Sequence, residues 1–451
     1  MSQSRSKMSR PETASKMSAA ELCARLIRFD TSNYGEGRSA GEADLAAWLV
    51  GALERAGYAP QLVGPSPARA SVVLRVPGTD PTLPAVLVHA HTDVVPVEPS
   101  QWTVPAFAGR ISDGYVWGRG ATDMKDMVAM TLATLLSWAK TGTRPRRDIV
   151  VLFVADEESG GEHGALWLVR NRPELFAGVQ FAIGESGGDA TELVAADGRT
   201  VRCYPIATGE RGTLHLRLRA SGDPGHASRP HPGHALERLI AACHRINTHE
   251  WPLRLTDTVR GYIETIDRAL GNEPELDTEA GVLAAIDRLG PAGEVAAATI
   301  RCTATTTVMN AGMTVNVIPG NAEALVDVRC LPGTEDEAVE TLRGLIGDGI
   351  AWEFVDRQSP VSAPHPSPWF DAMRDAIIAH DPDAVVPPVC MGGGTDAKAF
   401  AALGIAGYGF APLTADPEGR RPAGTHGADE RTPVASIDGG QRILEEFLTR
   451  V

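Results

Sequence analysis

Two uninterrupted apolar runs, Ala85 to Val88 and Ile149 to Ala155, constrain this chain more than any other feature. A run without polar alternation suits a strand covered on both faces, and such a strand needs helices on either side of its sheet. Helical patterns are present to supply them. Ser18 with Glu21 forms a capping box ahead of Leu22, Leu26 and Ile27, and Ser39 with Glu42 predicts a second helix carrying Leu45, Leu49 and Leu53. Met124 to Lys140 reads as a third helix and Ser71 to Val76 as a further strand. The predicted class is α/β, with a mixed, largely parallel sheet flanked by helices.

The texture changes after about Thr208. Leu214, Leu216 and Leu218 alternate with His215, Arg217 and Arg219, the mark of a strand with one wet face. A helical stretch from Ala235, strands near 299–308 and 322–329, a helix over 335–345 and a strand near 351–355 follow. This β-α-β-β-α-β order predicts an α+β ferredoxin-like sandwich inserted into the first domain. Proline-rich 359–368 is read as the return linker. The expected division is a disordered tail over 1–16, a main domain in two parts (17–207 and 361–451), and an insertion over 208–360. A chain of 451 residues is long for one core, which agrees with two domains.

The formal charge of −15 argues against a nucleic-acid partner, which requires a basic surface. No stretch approaches the roughly 20 apolar residues of a membrane span, and the first 20 residues lack the apolar core of a secretory signal. The six cysteines are scattered, with no CxxC pair, as expected of free thiols in a reducing compartment. A cytoplasmic location is the expectation.

The chemistry-bearing residues cluster where apolar runs end. His89, His91 and Asp93 share a strand face, since side chains alternate with a period of two. A metal-bound histidine commonly passes its other ring N–H to a carboxylate, although H-x-D alone is a weak signal. His89 is expected to be structural. Gly118 to Lys125 is a glycine-punctuated turn presenting Asp123, which a capping role would also explain. Asp156, Glu157 and Glu158 follow the second apolar run. Three adjacent carboxylates need cations, protons or solvent, and an exposed acidic loop would satisfy them too. Gly184-Glu185-Ser186-Gly187-Gly188 fits the G-x-S-x-G nucleophile elbow. With Asp396 and His426 downstream, a serine hydrolase is a rival reading.

Taken in order, these elements resemble the di-zinc hydrolase family of acetylornithine deacetylase, succinyl-diaminopimelate desuccinylase, aminoacylase and glutamate carboxypeptidase. The family patterns H-x-D-x-V-P, G-R-G-x-x-D-M-K, D-E-E-x-G, an acidic ligand before small residues and a late H-x-x-x-E appear here as His91 to Pro96, Gly118 to Lys125, Asp156 to Gly160, Glu185, and His426 to Glu430. The resemblance runs from about Met17 to the C-terminus. It implies a zinc-exopeptidase-like catalytic domain with an inserted dimerisation lid, and two Zn2+ ions, for which Mn2+ or Co2+ could substitute. Asp123 would bridge the metals, His91 and Glu185 completing one site and Glu158 and His426 the other. Glu157 would be the general base and Asp93 the partner of His91.

Two such cations acidify a bound water and polarise a carbonyl. The implied reaction is cleavage of an amide in an N-acyl amino acid or short peptide bearing a free carboxylate. Gly225-His226-Ala227-Ser228 resembles the element whose histidine reaches the partner subunit's active site of a homodimer and stabilises an oxyanion. Asn316 and Arg329 match the substrate-binding elements, Arg329 as the carboxylate grip. Departures from the family pattern are Ala90 before His91, Asp126 after Lys125, and Lys398 in the Gly393 to Lys398 element where arginine is usual. A catalytically inactive binding relative is a third reading, opposed by the complete ligand set with Glu157 present.

Overall fold

The two apolar runs lie side by side in the middle of a nine-stranded mixed sheet. The structure, a computed structural model, describes residues 14–451. Most of the expected N-terminal tail lies outside the described residues; Ala14–Lys16 form a 3-10 turn with Ala14 buried. From one edge the strands run Val361–Ser362, Ile206–Glu210, Ala406–Gly409, Val179–Gly184, Ala85–His91, Ile149–Val154, Arg69–Val76 and Gln61–Ser66, with Pro388–Met391 also paired to Ile206–Glu210. Ala85–His91 is parallel to both of its neighbours. The strands beyond Ile149–Val154 are antiparallel.

Every residue of Ala85–His91 and Ile149–Val154 is buried, and alternate side chains enter different cores. Val86, Val88, Val151 and Phe153 pack with helices Ala19–Ile27, Ala43–Arg55, Lys125–Thr141, Pro368–His380 and Val434–Arg450. Leu87, Val150, Leu152 and Val154 pack with Ala165–Asn171 and Ala397–Ala401. The first capping box forms, with the Ser18 hydroxyl accepting from the Glu21 N–H at 3.3 Å. The second does not. Gly41 takes a left-handed conformation (φ 85°) and donates its N–H to the Ser39 hydroxyl at 2.9 Å, so the helix starts only at Ala43. Glu42 is committed elsewhere, 3.4 Å from the Arg69 guanidinium.

A separate four-stranded antiparallel sheet has the order Thr303–Ala311, Asn321–Cys330, Gly212–Ser221, Ile350–Gln358. Leu214, Leu216 and Leu218 point to helices Ala235–Asn247 and Glu335–Ile346. On the other face Arg217 and Arg219 reach Glu353 at 3.3 and 2.9 Å. This is the expected ferredoxin-like arrangement. The connections to the main sheet are short: Glu210 belongs to one sheet and Gly212 to the other, as do Val361 and Gln358.

The middle segment is nevertheless not one self-contained insertion. Helices Asp257–Ala269, Glu279–Arg288 and Pro291–Ala297 share a core with Leu193, Val201, Cys203 and Cys390 of the main unit. Val259, Tyr262, Ile263 and Ile266 form the apolar stripe that requires this cover. Among the described residues no helix is long and apolar enough to cross a membrane.

Candidate active site

Because Ala85–His91, Ile149–Val154 and Val179–Gly184 are parallel neighbours, their carboxyl ends converge. Ligands in open α/β sheets bind at such ends. The convergence gathers His91, the Asp156–Glu158 turn and Glu185. Asp123 arrives from the turn before helix Lys125–Thr141 and His426 from a loop near the C-terminus.

Asp123 is shared between the two histidines. Its Oδ1 lies 2.9 Å from His91 Nε2 and its Oδ2 lies 3.1 Å from His426 Nε2. Glu185 stands 3.2 Å from the same nitrogen of His91, and Glu158 stands 3.4 Å from that of His426. Donor atoms of His91, Asp123 and Glu158 lie within 4.8 Å of one another, as do those of His91, Glu157 and Glu185.

The electrostatics follow from crowding. Loss of solvation, with the charge of Glu185 next, pushes Glu157 well above the usual carboxylate range. Loss of solvation also raises Glu185. Asp123 is held low despite its poor solvation, because both imidazoles bond to it. Hydrogen bonds to Asp123 and Glu158 raise His426 to about 10. Burial opposes charge on His91, but Asp123 and Glu185 outweigh it and its pKa rises. Glu158 Oε1 is buried with no hydrogen-bond partner. Carboxylate oxygens and imidazole nitrogens without a thiolate, one oxygen left unsatisfied, are a donor set that fits borderline and hard divalent cations.

Asp93 stands beside His91, as expected of its partner, and has further partners of its own. The Nδ1 of His91 lies 3.0 Å from the backbone carbonyl of Asp93, while the Asp93 carboxylate is 3.7 Å away. That carboxylate accepts the backbone N–H groups of Glu157 and Glu158 at 3.1 and 3.2 Å, and the Asn33 amide at 2.8 Å. It therefore sets the turn that carries both glutamates. His89 is buried against Phe400, its pKa lowered to about 3 by burial and the neighbouring His91.

Two contributors were not assigned roles from sequence. Glu430 accepts from Arg119 at 2.5 Å and from the backbone N–H groups of Gly120, Thr122 and Asp123 at 3.1, 2.8 and 3.2 Å. It clamps the turn that presents Asp123, and the late H-x-x-x-E spacing was its signal. Asn33, which also donates to Asp156 at 3.0 Å, had no such signal.

Arg329 faces Glu157, Glu158 and His426 across a cleft of about 880 Å³ between the two sheets' units. It is held by Asp327 at 2.8 Å and by the Thr213 hydroxyl at 2.9 Å. Lys398 lines the same cleft with its ammonium buried and unpartnered. Ala90 sits inside the sheet opposite Phe153, and Asp126 is buried at the start of its helix. His226 and Asn316 do not join the cluster. They neighbour each other on the middle unit, where the Ala227 N–H donates to the Asn316 carbonyl at 3.0 Å. His226 is exposed, and among the described residues its ring bonds only to Ser228.

The serine triad does not assemble. His426 turns Nε2 to Asp123 and Glu158, and among the described residues no hydrogen bond joins it to Ser186 or Asp396.

Comparison with known proteins identifies the family. The family model for peptidase family M20/M25/M40 matches residues 87–450. Human aminoacylase-1 is 29% identical over 397 residues, covering 86% of this chain and 85% of the relative. The M20 family metallo-carboxypeptidase Sso-CP2 of Sulfolobus solfataricus superposes with a TM-score of 0.68 at 18% identity, covering 96% of this chain and 98% of that one. The YXEP protein of Bacillus subtilis, described as a dinuclear metal binding peptidase from the M20 family, gives a TM-score of 0.58 at 14% identity, with 96% and 98% covered. The chain belongs to peptidase family M20/M25/M40 and is a metal-dependent hydrolase of amide or peptide bonds.

Proposed function

We propose that this enzyme hydrolyses the amide bond of a small N-acyl amino acid or short peptide bearing a free carboxylate. Two divalent cations, zinc by preference, would be held by His91 and Glu185 on one side and by Glu158 and His426 on the other, with Asp123 between them. The observation that carries this reading is the division of the Asp123 oxygens between two imidazoles, each flanked by its own glutamate. When bound, two such cations acidify water and polarise the scissile carbonyl.

Glu157 acts as general base. Its carboxylate takes the proton of the attacking water as the C–O bond forms, and delivers it to the amine as the C–N bond breaks. Asp93 fixes that carboxylate through the backbone, and Glu430 holds the turn of Asp123 in the same manner. Arg329, across the cleft, receives the substrate carboxylate. His226 and Asn316 serve the active site of a second subunit; the exposure of His226 on the middle unit agrees with such a role. Six buried free thiols suit a cytoplasmic location.

The test is a panel of N-acetyl amino acids and dipeptides on zinc-loaded enzyme. Turnover abolished by a chelator and restored by zinc supports the reading. Turnover that survives complete metal removal overturns it.

A further inference from the structure

The carboxylate cluster borders two unlike spaces. The interdomain cleft meets it at Glu157, Glu158 and His426 and carries Arg329 and Lys398 on its walls beside Glu162, Asp356 and Asp396, a charged surface of both signs. A smaller cavity of about 200 Å³ meets it at Asp123 and Glu185. This cavity shares Ser186, Gly187 and Asp189 with a third space, a groove of about 880 Å³. The groove lies between the hairpin of Thr191–Val194 and Thr200–Cys203, helix Asp257–Ala269 and the segment 288–298. It is built by the three helices that leave the middle unit and pack on the main one.

The groove is mostly apolar, with Asp189, Thr191 and Glu192 along one side. Tyr262, Ile266, Leu270 and Leu289 are buried on its floor, while Val194 and Val295 at its rim are 72% and 42% exposed. Two of the charges on its walls are paired, Arg288 with Asp267 at 2.5 Å and Arg421 with Glu192 at 3.2 Å, while Asp189, at the neck shared with the smaller cavity, has no ion pair among the described residues. Away from Asp189 at the neck, the mostly hydrocarbon surface suits an apolar occupant better than an ionic one. Its volume falls in the range of small-ligand sites, roughly 300–1,000 Å³.

Resting on the amide-hydrolase reading above, we infer that this groove receives the apolar acyl chain of the substrate. The preferred substrate is then an N-acyl amino acid with a medium or long hydrocarbon acyl group. Its carboxylate lies towards Arg329 and its chain passes the Ser186–Gly187 wall into the groove. The scissile carbonyl sits beside the cluster, between the cleft and the smaller cavity that leads to the groove.

The test measures kcat/KM of the zinc-loaded full-length enzyme on acetyl, octanoyl and dodecanoyl derivatives of the same set of amino acids. Each methylene buried in the groove raises kcat/KM by about fourfold until the groove is filled. Val295→Trp and Val194→Trp, both at the exposed rim, lower the ratio of dodecanoyl to acetyl kcat/KM at least about tenfold. Acetyl turnover with no dependence on chain length overturns the inference and leaves the hydrolase reading standing. Equal losses on both substrates in both variants overturn it too. If no amide is turned over, the hydrolase reading fails, and calorimetric titration of dodecanoate decides the groove separately. Saturable binding weakened about tenfold by Val295→Trp sustains an acyl-chain site; absence of saturable binding to the wild type removes it.

Discussion

The carboxylate of Asp93 holds the backbone N–H of Glu157 at 3.1 Å, so a buried acid governs the position of the proposed base through the chain itself. The Glu158 N–H binds the same carboxylate, which makes Asp93 a common anchor for the proposed metal ligand and the proposed base. Asp93→Asn turns one accepting oxygen into a donor facing these N–H groups. The expected result is a 10–100-fold loss of kcat, about what loss of an orienting partner costs at a metal site. Steady-state kinetics beside metal stoichiometry checks it.

Glu157→Gln keeps the shape of the side chain and removes its basicity. Metal content by plasma emission is expected to match the wild type, while kcat falls by roughly 10²–10⁴-fold. Wild-type turnover in this variant would remove Glu157 from its role.

If His226 serves the neighbouring subunit, two impaired variants complement each other. Glu157→Gln and His226→Ala homodimers are both expected to be poorly active. A mixed dimer contains one site with an intact Glu157 and an intact His226 from its partner, and activity reappears on mixing after subunit exchange. No recovery in a verified mixed dimer would defeat the trans assignment.

Gly184 precedes Glu185 at the end of its strand. A Cβ there would stand 2.2 Å from His89 Cε1, and His89 is itself packed on Phe400. Gly184→Ala is expected to lose about 1–3 kcal/mol of stability through overpacking. Activity should suffer as well, because the strand end that carries Glu185 must shift. Chemical denaturation alongside kinetics separates the two effects.

Glu210 ends the last main-sheet strand before the chain enters the four-stranded unit, and it accepts both the N–H (2.9 Å) and the hydroxyl (2.6 Å) of Thr395. Loss of solvation outweighs these bonds and raises its pKa from 4.5 to about 7. The folded chain therefore holds this proton over a range where the unfolded chain has released it. Stability falls as pH rises from about 4.5 to 7, by up to about 3 kcal/mol, and the loss levels off above that. Glu210→Gln should remove that share of the slope in denaturation measured across this range.

Much of the main sheet was legible because continuous apolar runs specify a strand covered twice, and the alternation from Leu214 to Leu218 specifies one covered once. Of the proposed ligands, His91, Glu158 and Glu185 were legible as residues stranded where apolar runs stop, whereas Asp123 and His426 lie in glycine-punctuated turns. Their pairing was less legible. The resemblance supplied Asp93 as the partner of His91, but not the hold of its carboxylate on the N–H groups of Glu157 and Glu158, a backbone contact that no spacing encodes. The apolar stripe of helix Asp257–Ala269 announces a buried face without saying which neighbour buries it, and the neighbour proved to be the main unit. Ser39 with Glu42 satisfied the capping pattern, yet Gly41 and the Arg69 pair gave both residues other partners. Local rules lose when a tertiary contact competes for the same atoms.

The six thiols have a practical consequence. All are free and buried, and they divide among separate cores: Cys23 beneath the main sheet, Cys243, Cys302 and Cys330 in the four-stranded unit, Cys203 and Cys390 under the helices that wall the groove. An alkylating reagent can reach Cys23, Cys243, Cys302 and Cys330 only when their own cores open, whereas Cys203 and Cys390 border the groove. Labelling rates resolved by mass spectrometry would then record two opening equilibria and, at Cys203 and Cys390, access to the groove, in the unmodified protein with no introduced probe.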